Sequence, residues 1–181
     1  MPMEDVALES SLDVAARFRC PMPLILSQVW LETAVMEEEI AATRRACLNL
    51  KDTYKHTISY IIVQKCHHTR LFCTQPKDQS GRSKNIPRGT CVDTNIVTPD
   101  AFDFYLCSHF GIQGTSRPTK YFVIMDENNM SAEELQSITY SICHNFVRIP
   151  RAVSVPAPAY YADLLAHRAR LSSLAFVNAI K

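Results

Sequence analysis

Residues 57–70 read Thr-Ile-Ser-Tyr-Ile-Ile-Val-Gln-Lys-Cys-His-His-Thr-Arg, an apolar run followed directly by polar and basic side chains. The stretch from Thr57 to Val63 is β-branched and aromatic, too short for a helix and apolar enough for a central strand. Ligands collect at strand ends in α/β sheets. The histidines beside Lys65 and Arg70 could therefore donate hydrogen bonds to an anion.

Helical and extended patterns surround this strand. A helix is predicted from about Val29 to Leu50, and further strands at residues 91–97, 102–109 and 120–125. Residues 74–90 contain prolines, glycines and four basic side chains, which indicates a mobile surface loop. The order of elements predicts an α/β domain with a mixed sheet covered by helices.

Two helices follow the predicted sheet. Ser131 and Glu134 form a capping box that opens the first, and the second runs from about residue 159 to 179. The predicted apolar faces are Leu135, Ile138, Ile142 and Phe146 on the first, and Leu164, Leu165, Leu171 and Leu174 on the second.

The composition suits one soluble globular domain, with 181 residues that are 47% hydrophobic and 20% charged. Seven scattered cysteines favour reduced thiols, hence the cytoplasm, with the nucleus as a second location. The start of the chain is acidic rather than basic, and no apolar run approaches the roughly 20 residues of a membrane span. We expect neither a leader nor a membrane partner.

Positive charge is concentrated in the middle of the chain. The overall net charge is +1, yet residues 51–120 carry ten basic and five acidic side chains. This segment is where an anionic partner would bind, unless it is merely a solvated basic face.

Several local patterns could carry chemistry, and each has a plainer interpretation. Cys66, His67, His68 and Cys73 offer metal ligands, but their spacing does not match two zinc-ligand pairs. Residues 111–118, with two glycines and Arg117, could form a phosphate nest or simply a tight turn. The segment with Arg148, Arg151, Ser154, Tyr160 and Tyr161 could be a polar linker with two packed aromatics.

Five motifs occur in a consistent order between about Val35 and Arg170. They are QKCHHTRLF at 64–72, KNIP at 84–87, FDFYLCSH at 102–109, GIQGTSRP at 111–118 and VSVPAPAYYA at 153–162. Together they closely resemble the PIWI domain of eukaryotic Argonaute proteins. The resemblance implies the C-terminal portion of a ribonuclease H-like PIWI fold over residues 29–181, preceded by a poorly ordered or non-homologous segment, residues 1–28.

The resemblance also implies a role in small-RNA-guided silencing, with guide RNA and its target RNA as partners and no DNA specificity. The positions that match guide-backbone contacts in the family are Lys65, Arg70, His109, Gln113, Arg117, Arg148, Ser154 and Tyr160. Arg168 matches an arginine that reaches the 5′ phosphate of the guide. Such donors contact phosphates and carry no base preference, so the target would be read by pairing with the guide.

Cleavage in the family resembles ribonuclease H chemistry, in which clustered acidic groups hold two Mg²⁺ ions. Asp163 falls on the fourth catalytic position, where histidine is common. Two of the other positions would precede this chain, and residues 23–30 replace the segment that carries the third. We therefore expect no cofactor and no cleavage for the isolated chain, with Asp163 a metal ligand only in a completed site.

Two alternatives remain open at the level of sequence. One is a guide-directed RNA endonuclease whose missing half is supplied by another chain. The other is a scaffold for tryptophan-containing silencing proteins, because Leu50 and Tyr54 match positions of a tryptophan-accepting pocket in some Argonautes.

Overall fold

A computed structural model describes residues 35–50, 57–111 and 113–180 of the chain. The segment expected to be poorly ordered, residues 1–28, lies outside this range, so its prediction is untested. Among the described residues, no helix has both the length and the apolar character required to cross a bilayer.

The α-helices lie on either side of the four strands along the chain. A π-helical turn, Val35–Ile40, runs into α1 at Ala41–Leu50, which ends where the predicted helix ends. The strands are β1 at Ser59–Gln64, β2 at Thr90–Val92, β3 at Phe102–Cys107 and β4 at Thr119–Asp126. Helix α2 spans Ala132–Ile142 and α3 spans Ala157–Ile180.

The four strands form one sheet in the order β1-β4-β3-β2. All pairs among these strands are antiparallel, whereas the sequence led us to expect a mixed sheet. A register shift between Tyr60 and Ile61 interrupts the β1–β4 ladder. The predicted α/β class, with helices beside a sheet, is confirmed.

The main core lies on one face of this sheet. Side chains from alternate positions of β3 and β4 point to it, as the two-residue period of a strand requires. Phe104 and Tyr121 stack with ring centroids 5.0 Å apart, and Leu106 and Leu135 complete a buried cluster. Helix α2 therefore covers this face of the sheet.

The capping box that opens α2 is confirmed. The Ser131 hydroxyl accepts a hydrogen bond from the amide of Glu134, and the Glu134 carboxylate accepts one from the amide of Ser131. These two bonds satisfy backbone donors that the first turn of a helix leaves free.

The predicted apolar faces of the two helices are partly wrong. Ile138 is 47% exposed, and α2 ends at Ile142, so Phe146 packs instead in a second cluster with Val153 and Ala157. On α3, Leu165 is 64% exposed and Leu171 is 55% exposed. The inward face of α3 includes Ala157, Tyr160 and Leu164, which pack against Phe146 and Val153 of the segment before the helix.

Two predictions for the loops also need correction. Strand β2 stops at Val92, far short of residue 97, because the backbone turns to bring the amide of Thr98 to the carboxylate of Asp103 at 2.8 Å. The segment at residues 74–90 is not simply a mobile surface loop. Asn85 and Ile86 within it are buried, and Ser80 and Asn85 exchange backbone hydrogen bonds of 2.8 and 3.1 Å.

Replacing Leu135 by alanine should destabilise the protein far more than replacing Ile138 on the same helix. Leu135 is 2% exposed, and its truncation leaves a cavity that typically costs about 2–5 kcal/mol. Ile138→Ala should change the free energy of unfolding by less than about 1 kcal/mol. Urea unfolding of both variants would measure the difference, and equal losses would contradict the assignment of the core face.

Candidate nucleic-acid interface

The candidate site lies at one edge of the sheet, where β1 and β3 end and β4 begins. Gln64 at the end of β1 pairs with Lys120, and Leu106 near the end of β3 pairs with Thr119. Because β4 is antiparallel to both neighbours, the segments after β1, after β3 and before β4 come together at this edge. Each of these segments contains residues that the sequence analysis selected.

Lys65, which directly follows β1, is at the centre of the site. Its ammonium group donates a hydrogen bond to the Ser154 hydroxyl, which is 3.1 Å from the Tyr160 hydroxyl. Burial lowers the pKa of Lys65, and the nearby charge of Arg117 lowers it further. An anion close to Lys65 would therefore stabilise the charged form of its amine.

His109 and Arg117 add two further basic groups around Lys65. The Nδ1 atom of His109 is buried and has no hydrogen-bond partner among the described residues. Burial lowers the pKa of His109, and the charge of Lys65 acts in the same direction. We call Lys65, His109, Arg117, Ser154 and Tyr160 the Lys65 cluster. The structure brings these five predicted residues together.

Hydroxyl groups at the strand ends hold the linker that supplies Ser154. Ser108, directly after β3, donates to the carbonyl of Val153 at 2.6 Å. Thr119, at the start of β4, donates to the carbonyl of Ser154. The amide of Val153 donates to the carbonyl of Cys143 at 2.9 Å. The position of Ser154 is therefore fixed by the sheet and by the end of α2.

His67 has a structural role, which corrects the expectation that it donates to an anion. Its Nε2 atom is 3.0 Å from the carbonyl of Pro118, and its ring packs edge-on against Tyr105. Because a carbonyl can only accept, Nε2 is the protonated nitrogen. His67 thus holds the residue next to Arg117, while Cys66 and His68 beside it are exposed.

Arg70 is turned back on its own segment. Its guanidinium donates to the carbonyl of Thr69 at 2.7 Å and to that of His67 at 3.3 Å. Among the described residues, no hydrogen bond or ion pair joins the remaining predicted contacts to the Lys65 cluster. These are exposed side chains on the loop before β4, the linker and α3, namely Gln113, Arg148 and Arg168.

Asp163 lies exposed on α3. Within residues 35–50, 57–111 and 113–180, no three His, Cys, Asp or Glu side chains are grouped so that they could hold a metal ion. The described residues therefore do not fit a two-magnesium site. The Sγ atom of Cys73, a possible zinc ligand in the sequence, lies 3.4 Å from the carbonyl oxygen of Asp78.

The predicted tryptophan-accepting pocket is not tested. Leu50 is the last residue of α1, and Tyr54 lies outside the described residues. The pocket stays a prediction.

Sequence reasoning missed Asn85, which is 5% exposed. Its side chain donates to the carbonyl of Gly114 at 2.8 Å and accepts from the amide of Ser116 at 2.9 Å. The KNIP motif at 84–87 contributed to the family resemblance, but no role was given to its residues. A polar amide followed by Ile86 and a proline in an otherwise charged loop is the signal that could have indicated a buried residue.

Comparisons with known proteins all point to the same family. The sequence model of the Piwi domain matches residues 32–173. The Caenorhabditis elegans protein tag-76 is 55% identical over 136 residues, which make up 75% of this chain and 13% of that protein. The chain therefore spans only a small part of this relative.

Solved structures agree with the sequence match. The C-terminal lobe of a budding yeast Argonaute is 31% identical with a TM-score of 0.69, over 78% of this chain and 30% of that one. Kluyveromyces polysporus Argonaute with a guide RNA is 30% identical with a TM-score of 0.67, over 76% and 18%. Drosophila Piwi is 31% identical with a TM-score of 0.63, over 74% and 18%.

The stability of the fold should fall as the solution is acidified, partly through His67. Burial lowers the pKa of His67 below its ordinary 6.5, and Arg70 and Lys120 lower it further despite the opposing bond to Pro118. The unfolded chain therefore takes up this proton at a higher pH than the folded chain. The stability that this shift contributes is present above pH 6.5 and is lost as the pH falls below it.

Chemical denaturation of the wild type and His67→Gln between about pH 7.5 and 5.5 would test this coupling. Glutamine can still donate to the Pro118 carbonyl but does not titrate, so its stability should depend less on pH. His68→Gln provides the comparison: the charge of His68 is one of those that lower the pKa of His67, so this variant should weaken the pH dependence less than His67→Gln does. Identical pH profiles for the wild type and His67→Gln would exclude the proposed contribution.

Proposed function

Because this chain belongs to the Piwi domain family, we propose that it binds the sugar–phosphate backbone of a small guide RNA through the Lys65 cluster. The observation that supports this proposal is that Lys65, His109 and Arg117 lie together at one edge of the sheet. Among the described residues, no carboxylate forms an ion pair with Lys65 or Arg117. One of the similar solved structures is an Argonaute with a guide RNA.

The chemistry of the cluster suits phosphate oxygens. Lys65 and Arg117 supply charge-assisted donors, while Ser154 and Tyr160 supply hydroxyl groups that can donate or accept. Contacts of this kind fix the position of a strand but do not distinguish bases. Recognition of a target RNA would then rest on pairing with the guide, as RNA-guided silencing requires.

The same proposal extends to exposed groups around the cluster. Gln113 lies in the loop that leads to Arg117, and Arg148 lies between α2 and α3. A strand crossing the Lys65 cluster could reach both side chains. Arg70 would have to release its contacts with the carbonyls of His67 and Thr69 in order to take part.

We further propose that this chain does not cleave RNA by itself. Asp163 is one carboxylate at a position where metal-dependent cleavage needs several that hold two ions. Guide-directed cleavage by this chain would require a second polypeptide to supply the others.

The binding should be electrostatic, and it should depend on the cluster. Lys65→Ala and Arg117→Ala should each weaken binding of a single-stranded RNA by about 10- to 150-fold, because a hydrogen bond to a charged group contributes about 1.5–3 kcal/mol. Each loss should also reduce the slope of log affinity against log salt by roughly 0.7 per phosphate released. Fluorescence anisotropy titrations at several salt concentrations would measure both quantities.

Arg45 on α1 is an exposed control cation, so Arg45→Ala should leave the affinity and the salt slope close to those of the wild type. An affinity that is indifferent to salt would contradict the proposal. So would equal effects of all three substitutions.

Arg168 should distinguish a 5′-phosphorylated guide from a 5′-hydroxyl guide. At about 100° per residue, Arg168 and Arg170 lie about 200° apart around α3 and cannot easily share one pocket. Arg168→Ala should remove most of the preference for the phosphate, about 1.5–3 kcal/mol, whereas Arg170→Ala should retain it. Competition binding with the two guides would measure the preference, and equal losses in the two variants would refute the assignment.

A further inference from the structure

Residues 77–88 form a strongly basic loop, which the Lys65 cluster does not include. Lys77, Arg82, Lys84 and Arg88 are all exposed, and Asp78 is the one acidic residue of this segment. In the described part of the chain, none of these four cations forms an ion pair. We refer to residues 77–88 as the basic loop. Four cations within twelve residues create a positive potential that attracts anions.

The basic loop is held in a defined shape. Backbone hydrogen bonds between Ser80 and Asn85 close a hairpin-like turn, and the amide of Lys84 donates to the carbonyl of Gly81 at 3.3 Å. Lys84 adopts a φ of 51°, in the left-handed region that a lysine rarely occupies. This unusual conformation is imposed by the turn, so the direction in which the backbone presents Lys84 is fixed.

The tip of the basic loop is docked beside the Lys65 cluster. Gly81 has a φ of 71° and lies against the ring of Phe110, where an added Cβ would be 2.7 Å from a ring carbon. Phe110 directly follows His109, a member of the cluster. The close contact therefore joins the basic loop to the segment after β3.

Asn85 makes a second connection to the cluster. Its amide bridges the carbonyl of Gly114 and the amide of Ser116, which directly precedes Arg117. Lys84 precedes Asn85 and Arg117 follows Ser116, so the buried hydrogen bond between Asn85 and Ser116 links the neighbours of these two cations. The Asn85 hydrogen bonds and the Gly81–Phe110 contact therefore join the basic loop to the two segments that carry His109 and Arg117.

We propose that the basic loop is a second phosphate-binding surface, which holds RNA phosphates beyond those bound by the Lys65 cluster through Arg82, Lys84 and Arg88. This inference rests on the proposed function, since it adds contacts to the same nucleic acid. The ligand is the phosphodiester backbone of RNA. Two sources of that backbone are open, namely the continuation of the strand on the Lys65 cluster or the strand paired with it.

The test uses the full chain with the substitutions Arg82→Gln, Lys84→Asn and Arg88→Gln combined. Asparagine is chosen at position 84 because it tolerates a positive φ better than most residues. Glutamine keeps a long polar side chain without the charge. All three side chains are exposed, so circular dichroism and thermal unfolding should match the wild type.

Binding is measured with one labelled RNA, single-stranded and annealed to its complement, over a series of salt concentrations. The combined variant should lose roughly 0.7 of log–log salt slope for each single-strand phosphate contact removed, about 2 if each cation neutralises one. A loss with both probes assigns the loop to the strand on the Lys65 cluster. A loss with the duplex alone assigns it to the paired strand.

Lys65→Ala and Arg45→Gln are measured beside the combined variant. If Lys65→Ala weakens binding while the combined variant matches the wild type with both probes, the loop proposal is overturned and the proposed function stands. If the wild type itself shows no salt-dependent RNA binding, both are overturned. A loss in Arg45→Gln of about one third of that in the combined variant, which removes three charges, would mean that the effect is one of net charge, and it would also overturn the assignment to the loop.

Discussion

The antiparallel pairing of β4 with both β3 and β1 is the constraint on which the site depends. It sets Lys65, Ser108 and Thr119 at the same edge of the sheet, although they are far apart in the sequence. The last two then hold the linker whose Ser154 accepts a hydrogen bond from the first. Without this register, the basic residues would not converge.

A buried ion pair stabilises the register between β3 and β4. Asp103 is 1% exposed and lies on the sheet face opposite the Phe104–Tyr121 stack, where it meets Lys120 at 2.7 Å and accepts from the amide of Thr98. A slip of one residue in β3 would move the carboxylate into the apolar core. Breaking such a pair by removing one partner is costly, because it leaves a charge buried without compensation. The pair therefore selects one alignment over its neighbours.

The sequence predicted the features that depend on nearby residues and missed those that depend on distant ones. The Ser131 capping box needs only a four-residue pattern, and the β1 strand needs only a branched apolar run. Strand β2 ends early because the amide of Thr98 donates a hydrogen bond to the carboxylate of Asp103. No pattern of neighbouring residues indicates this contact. For the site, the family resemblance selected the residue types, but the folded-back Arg70 and the bridging Asn85 follow from tertiary contacts alone.

The lowered pKa of Lys65 means that this amine is harder to keep charged in the folded protein than in the unfolded chain. Part of the folding free energy is therefore given up to keep a cation at this position. Evolution often accepts this kind of trade-off at functional positions. Methionine at this position would remove the cost of holding the charge, and with it the charge that attracts anions.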